Sequence, residues 1–476
     1  MHDAMSTTVN DPFADPHVTG GVNPLRAGWD NCTVESQDLA VPLSPPRIDM
    51  PLRLADGVRL RREDFGAIVQ ASTFTRLLNH RAAELLEGID DQPRLAVDDR
   101  DEQFLAACLA RGVLTEGPAG GRARIYGQRS GAAYRRMHSP TSVEIEITNK
   151  CFRHCSYCAY ESGPAPRIGQ EHELSTEQWM EVLSELEREG VTALEFTGGD
   201  PFVRHDAIEL LQHASQLGLL LWINSDLSIL NERHIDGLAA LDNLVAVQTS
   251  LDGATTASCD LTRGRGGFKT LLRQLDVLQG AGLPISVGAT IHRHNAGEVS
   301  AIAELAAEKG AGRLYIGPMY AAGRATALND LVVTDELWDS AVAQYAHAIR
   351  SGVIAPADIR WRDLAADYQD GVNPVAEQLH LTSRGTRGLR IDPLGNAYVS
   401  AKLRQWHPRF WTIGNVLQFG VGTIWRESKL LDELRSCESG PNEFDGVNVH
   451  AIAAADPAEP AHNNELGLVA LERNSA

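Results

Sequence analysis

Cys151, Cys155 and Cys158 stand in the order C-x3-C-x2-C within the segment EITNKCFRHCSYCAYESG. The alternating stretch SVEIEIT before them predicts a strand, so the three thiols sit in the loop at its end, ahead of a helix. Three thiolates on one short loop can hold three irons of a four-iron cluster and leave the fourth iron open, whereas cuboidal clusters ordinarily take four cysteines. A missing fourth ligand suggests an iron reserved for a substrate or cofactor. The competing reading is a structural zinc loop, which needs a fourth ligand and usually two paired Cys/His units. His154 lies inside the loop, but Arg153 and Cys155 on either side leave it poorly placed to serve. Farther on, Gly198-Gly199-Asp200-Pro201 closes a second predicted strand. Adjacent glycines there let backbone carbonyls approach a ligand closely.

Composition narrows the setting. At 476 residues the chain allows two or three domains, and its apolar share of 43% is that of an ordinary globular protein. It has no run of eighteen apolar residues, so no membrane span is expected. The N-terminus lacks the basic-then-apolar layout of a signal peptide. Seven cysteines, an odd number, argue against a disulfide framework and suit a reducing cytoplasm, as does an oxygen-sensitive cluster. A net charge of −20 speaks against nonspecific binding to nucleic acid or anionic membrane.

The elements that must position these residues fall into segments. Residues 1–45 and 451–476 read as loose ends. Residues 46–118 predict a hairpin, MPLRLA and VRLRRE about Asp56-Gly57, followed by helices over FTRLLNHRAAELLEGI and DEQFLAACLARGVLTE. Together these read as a small winged-helix module, joined by a linker at 119–140 to the central segment. Residues 141–330 alternate six apolar runs (SVEIEIT, ALEFTGG, LLLWINS, NLVAVQTSLDG, PISVGATI and RLYIGP) with amphipathic helices. That alternation predicts an α/β fold with a parallel sheet, whose chemistry sits at the C-terminal ends of the strands. Residues 331–450 begin helical and continue as short β-rich stretches, a small α+β segment.

With the cysteine loop and the Gly-Gly turn in these places, the chain resembles the radical S-adenosylmethionine (SAM) superfamily. The resemblance implies a partial (β/α)6 barrel, one [4Fe-4S] cluster on Cys151, Cys155 and Cys158, and SAM on the open iron. It implies that Tyr157 packs near the adenine and that Gly198, Gly199, Asp200 and Pro201 receive the SAM amino group, with Asp200 where relatives have Glu. It places Ser225 at the ribose and Ser250 with Arg263 at the SAM carboxylate, a role suited to a guanidinium. Ile291, Pro318, Gly323 and Arg324 match cofactor-wall elements more loosely. The C-terminal segment resembles a SPASM domain, the auxiliary-cluster domain of peptide-modifying members. Ser400 stands where that family has a ligand cysteine and only Cys437 remains nearby, so the scaffold is expected without auxiliary clusters. The N-terminal module resembles the peptide-recognition element of the pyrroloquinoline-quinone pathway, in which a leader peptide adds as an extra strand.

Taken together the resemblance implies a maturase of a ribosomally made peptide. The leader docks on the N-terminal module, a flavodoxin or ferredoxin supplies electrons, and a deoxyadenosyl radical abstracts hydrogen from a core residue. Without auxiliary clusters a redox-neutral epimerisation is favoured, with Cys259 or Cys437 returning a hydrogen atom, and crosslinking is the rival. Free cysteine is also simply a small buried hydrophobe. Two other classes remain open at this point: a radical SAM enzyme acting on a small molecule such as a tetrapyrrole, and a cluster-bearing sensor that uses the winged module on DNA.

Overall fold

The structure, a computed structural model, describes residues 51–436 apart from 64–65, 72–73, 90–98, 111, 118–122, 128–136, 165–172, 320–321, 357–387 and 400–411. The expected loose ends, Ser400 and Cys437 lie outside the described residues. Described residues up to Gly127 form one compact unit and those from Met137 onward another.

The first unit contains strands β1 (Leu52–Leu54), β2 (Arg59–Glu63), β3 (Gly66–Ala71) and β4 (Phe74–Asn79), then helices α1 (His80–Glu87) and α2 (Asp99–Ala110), then β5 (Leu114–Glu116) and β6 (Arg124–Tyr126). The expected hairpin about Asp56-Gly57 is not formed. β1 pairs antiparallel with β5, while β2 pairs antiparallel with β3 and parallel with β6. The register of β2 and β3 sets Leu60 opposite Val69, and both join Leu78, Leu86 and Phe104 in the unit's core. That apolar match outweighs the local turn signal. The expected helix over FTRLLN is also a strand as far as Asn79, paired along its length with β3, and helix begins only at His80. Tertiary pairing overrides local propensity in such half-buried runs. Cys108 belongs to the same core.

The second unit is built on β7 (Ser142–Thr148), β8 (Ala193–Gly198), β9 (Leu220–Asn224), β10 (Leu244–Ser250), β11 (Ile285–Ile291) and β12 (Ala311–Pro318), neighbours in that order and all parallel. Helices α3 (Thr176–Arg188), α4 (Ala207–Gln216), α5 (Glu232–Ala239), α6 (Thr256–Arg263), α7 (Gly267–Gly280) and α8 (Val299–Glu308) lie between them. The alternation in β7 explains its two faces: Val143, Ile145 and Ile147 are fully buried on one, and Glu144, Glu146 and Thr148 turn to the other. α3 starts at Ser175 because Ser175 and Gln178 cap each other reciprocally, and it buries Trp179, Val182, Leu183 and Leu186.

After α9 (Asp335–Arg350) and the short β13 (Ala355–Pro356), the chain returns as β14 (Gly388–Ile391), β15 (Asn396–Tyr398) and β16 (Gly414–Asn415). β14 lies parallel beside β7, so these strands extend the barrel sheet itself, to ten strands among the described residues. Three helices follow, α10 (Val416–Phe419), α11 (Val421–Glu427) and α12 (Lys429–Ser436). The buried Trp425 of α11 donates to the Met137 carbonyl at 2.8 Å, and the Val421 amide donates to Glu185 of α3 at 2.6 Å. Among the described residues, then, the segment expected as a separate small domain shares a sheet and a core with the barrel.

Candidate active site

The cysteine loop leaves the C-terminal end of β7 and is closed at its base. Glu173 accepts from the Thr148 hydroxyl at 3.0 Å and the Asn149 amide at 2.9 Å, and the Cys151 amide donates to the Gly163 carbonyl at 3.0 Å. At its far end Arg324 holds it twice: Nε donates to the Cys155 carbonyl at 2.8 Å and the backbone amide to the Cys158 carbonyl at 3.1 Å. Gly323 beside it has φ +56°, and a Cβ there would overlap the Cys158 carbonyl, so only glycine fits. The three cysteines themselves are partly exposed.

Gly198 and Gly199 do their packing against this loop. The Gly199 amide donates to the Thr148 carbonyl and the Asp200 amide to the Lys150 carbonyl, each at 2.8 Å. A Cβ on Gly199 would overlap the Lys150 carbonyl. Asp200 is fully buried and fully engaged, accepting from the Phe202 amide at 3.0 Å, the Ser225 hydroxyl at 2.8 Å and the Asp226 amide at 3.0 Å. Burial, then the Asp226 carboxylate, push its pKa up to about 7. Ser225 gives its one proton to Asp200 and accepts from the Leu227 amide at 2.9 Å, which leaves its oxygen one further acceptor lone pair. Asp226 in turn pairs with Arg153 of the cysteine loop at 2.9 Å.

A second group joins the loop to the far strands. Asp252, with no exposed surface, accepts from the Tyr157 hydroxyl, from Arg263 Nη1 at 3.2 Å and from the Thr290 amide at 2.8 Å. Arg263 Nη1 also donates to the Tyr157 oxygen at 2.9 Å. Burial first, then Asp252, raise the Tyr157 pKa well above its ordinary value. Burial opposes the charge on Arg263, but Tyr157, Cys155 and Asp252 outweigh it and hold the guanidinium protonated. Ser250 is half-buried at the end of β10, two residues before Asp252.

The strand ends also line a polar inner face. Asn224 donates to Glu195 at 2.7 Å, Gln248 to Asn224 at 3.1 Å and Ser286 to Gln248 at 3.4 Å. The Tyr315 ring lies over Gly317, where a Cβ would meet its hydroxyl at 2.8 Å, and comes within 4.0 Å of a Cβ built on Gly288. At the β7 edge Arg390 of β14 reaches Glu144 and Tyr160, and Tyr398 reaches Glu146.

The structure therefore brings Tyr157, Gly198, Gly199, Asp200, Pro201, Ser225, Ser250 and Arg263 to the strand ends around the cysteine loop. Cys259 lies beside Asp252 and Arg263 but is fully buried in α6, and burial, then Asp252, push its thiol up to about 12. Sequence reasoning passed over Asp252, Glu173 and Arg153. Asp252 had a signal, since it follows Ser250 closely in QTSLDG; the other two had none, being partnered only through the fold.

The Radical SAM superfamily's sequence model matches residues 145–306. The mycofactocin maturase MftC of Mycobacterium ulcerans (strain Agy99) is 31% identical over 310 residues, covering 64% of this chain and 79% of MftC. This chain belongs to the radical SAM superfamily. A PqqA peptide cyclase of Rhizobium meliloti (strain 1021) is 27% identical over 339 residues, 68% of this chain and 86% of that protein. The crystal structure of Streptococcus suis SuiB bound to its precursor peptide SuiA superposes with a TM-score of 0.60, covering 82% of this chain and 91% of SuiB. At 13% identity that is a likeness of fold.

A radical SAM enzyme uses a [4Fe-4S] cluster and SAM, and the donor set here fits the cluster. Burial, with Asp200 and Asp226 beside Cys151, raises the Cys151 thiol pKa strongly, and burial raises that of Cys155 as well. Thiolates at these positions need a cationic metal centre to stabilise them. Among the described residues no three His, Cys, Asp or Glu side chains converge as they would on one ion. A cuboidal cluster needs no such convergence, because each thiolate binds a different iron. No described helix is long and apolar enough to cross a membrane.

Proposed function

We propose that this radical SAM enzyme modifies a ribosomally synthesised precursor peptide by abstracting hydrogen from carbon. The observation that carries the reading is the extent of the similarity, 79% of MftC and 86% of a PqqA peptide cyclase. Cys151, Cys155 and Cys158 would hold the cluster. Gly198 to Pro201 would meet the SAM amino group, Ser250 and Arg263 its carboxylate, and Tyr157 and Ser225 its adenosine. When bound and reduced by one electron, the pair supplies a 5′-deoxyadenosyl radical that takes a hydrogen atom from substrate carbon.

This chain's own residues do the positioning. Asp252 orients Tyr157 and Arg263 against the cysteine loop, and Asp200 fixes Ser225 at the end of β9. Glu195, Asn224 and Gln248 offer the entering residue a polar floor beside the Tyr315 ring, which covers Gly317. In the N-terminal unit β4 is an outer strand of a four-stranded sheet, an edge to which a leader peptide could pair. The burial of Cys259 weighs against hydrogen return from that thiol and towards bond formation within the peptide. A flavodoxin or ferredoxin in a reducing cytoplasm fits the electron demand.

The test is anaerobic co-expression in D2O with the short peptide encoded beside the gene, read by mass spectrometry. A loss of about two daltons per event indicates crosslinking or desaturation, and a gain of about one dalton at a non-exchanging carbon indicates epimerisation. An unmodified peptide beside demonstrable SAM cleavage would overturn the peptide reading and point to a small-molecule substrate.

A further inference from the structure

An acidic chain presents a basic, partly apolar surface beside its cysteine loop. Phe152, directly after the first cysteine, is 63% exposed, and Leu261 of α6 is 50% exposed. Phe152 stands on the cysteine loop and Leu261 on the helix that leads into the α6–α7 turn. The α6–α7 turn abuts the same loop: the Ser156 amide donates to the Thr262 carbonyl at 2.9 Å, and Arg153 Nη1 lies 3.5 Å from a Cβ built on Gly267.

Arg265 in that turn, with Lys269 and Arg273 one helical turn apart on α7, is exposed. Nearby carboxylates do not neutralise the three. Asp260 is taken up by the Gly266 and Phe268 amides, at 2.6 and 2.8 Å, and Asp276 pairs with Lys309 at 2.8 Å. Three open cations running from that turn along α7, on a protein of net charge −20, form a local field of opposite sign to the whole.

We propose that Phe152, Leu261, Arg265, Lys269 and Arg273 form the docking surface for an acidic, low-potential electron-carrier protein. The proposal rests on the cluster reading above. The occupant is argued from charge: a basic stripe steers an acidic partner, and an exposed aromatic beside it suits the small, transient interfaces of electron-transfer encounters. Phe152 is peptide-bonded to Cys151, so a carrier seated on it meets the cysteine loop itself. In the step the carrier's redox centre loses one electron and the cluster gains it; no bond forms or breaks and no proton moves.

The test is stopped-flow reduction of the reconstituted, full-length enzyme, followed by cluster absorbance, with reduced acidic flavodoxin and separately with dithionite. The triple variant Arg265→Glu, Lys269→Glu, Arg273→Glu should be reduced by flavodoxin about 10- to 100-fold more slowly at low salt and lose its ionic-strength dependence. Its dithionite reduction and its melting temperature should match the parent's. Leu261→Asp, which leaves the basic stripe in place, should also slow flavodoxin and spare dithionite. Flavodoxin reduction of the triple variant at the parental rate would overturn the proposal. Failure of dithionite to reduce the parent would instead remove the cluster reading, and the docking proposal with it.

Discussion

Replacing Asp252 by asparagine takes one negative charge from a site with no exposed surface. Asparagine keeps an oxygen for the Thr290 amide but turns a donor towards Arg263 and the Tyr157 hydroxyl, which both donate to Asp252. A guanidinium held 3.2 Å from its carboxylate is thereby left buried without a counterion. Breaking a buried pair by removing one partner costs about 3–5 kcal/mol. For a unit of this size the midpoint should fall by roughly 10 °C. The assay is thermal unfolding of the metal-free protein, by circular dichroism, with Tyr157→Phe as the comparison. Tyr157→Phe keeps the ion pair but removes two hydrogen bonds to charged groups, the one to Asp252 and the one from Arg263, each worth about 1.5–3 kcal/mol. If Asp252→Asn melts within about 1 kcal/mol of the parent, the group is solvated or rearranged and the positioning argument fails.

Gly199→Ala places a methyl group on the Lys150 carbonyl; it should cost about 3 kcal/mol or more and lower the iron content after reconstitution, measured by colorimetric assay. Gly288→Val should preserve folding and SAM binding by calorimetry while abolishing peptide turnover, because it adds bulk to the inner face beside Gln248 and Tyr315. Cys259→Ala should destabilise by about 1–2 kcal/mol and leave the deuterium content of the product unchanged; a lost deuterium would restore the thiol-donor reading. Asp200 gives the metal-free protein a pH dependence. Its folded pKa of about 7 lies above the ordinary 3.8, so folding favours the protonated form. Its stabilising contribution is complete below pH 3.8, declines as pH rises and is gone above about 7. Asp200→Asn should flatten that part of the stability profile in urea titrations.

How much of this was legible depends on where each signal lies in the chain. The six barrel strands were readable because each carries its own apolar run and ends at its own turn. The cysteine loop and Gly198-Gly199 were readable because their chemistry lies in adjacent residues. The pairing of β14 with β7 was not, since neither strand encodes its neighbour and Arg390 meets Glu144 across 246 residues. β4 was misread for a related reason: FTRLLN satisfies a helical period, and only its register with β3 makes it a strand. Ser225 was readable as the residue at its strand's end, but its bond to a buried Asp200 depends on two strand ends meeting.

The β14–β7 pairing also sets an order of events in the making of the molecule. β7 leads the barrel, yet one of its edges stays open until the partner 246 residues later has been synthesised. At translation rates of about 5–20 residues per second, that edge is unpaired for some tens of seconds. An unpaired strand edge is a template for association with other chains. The nascent barrel therefore passes through an aggregation-prone interval whose length is set by the intervening sequence, and a chain cut short before Gly388 would never leave it.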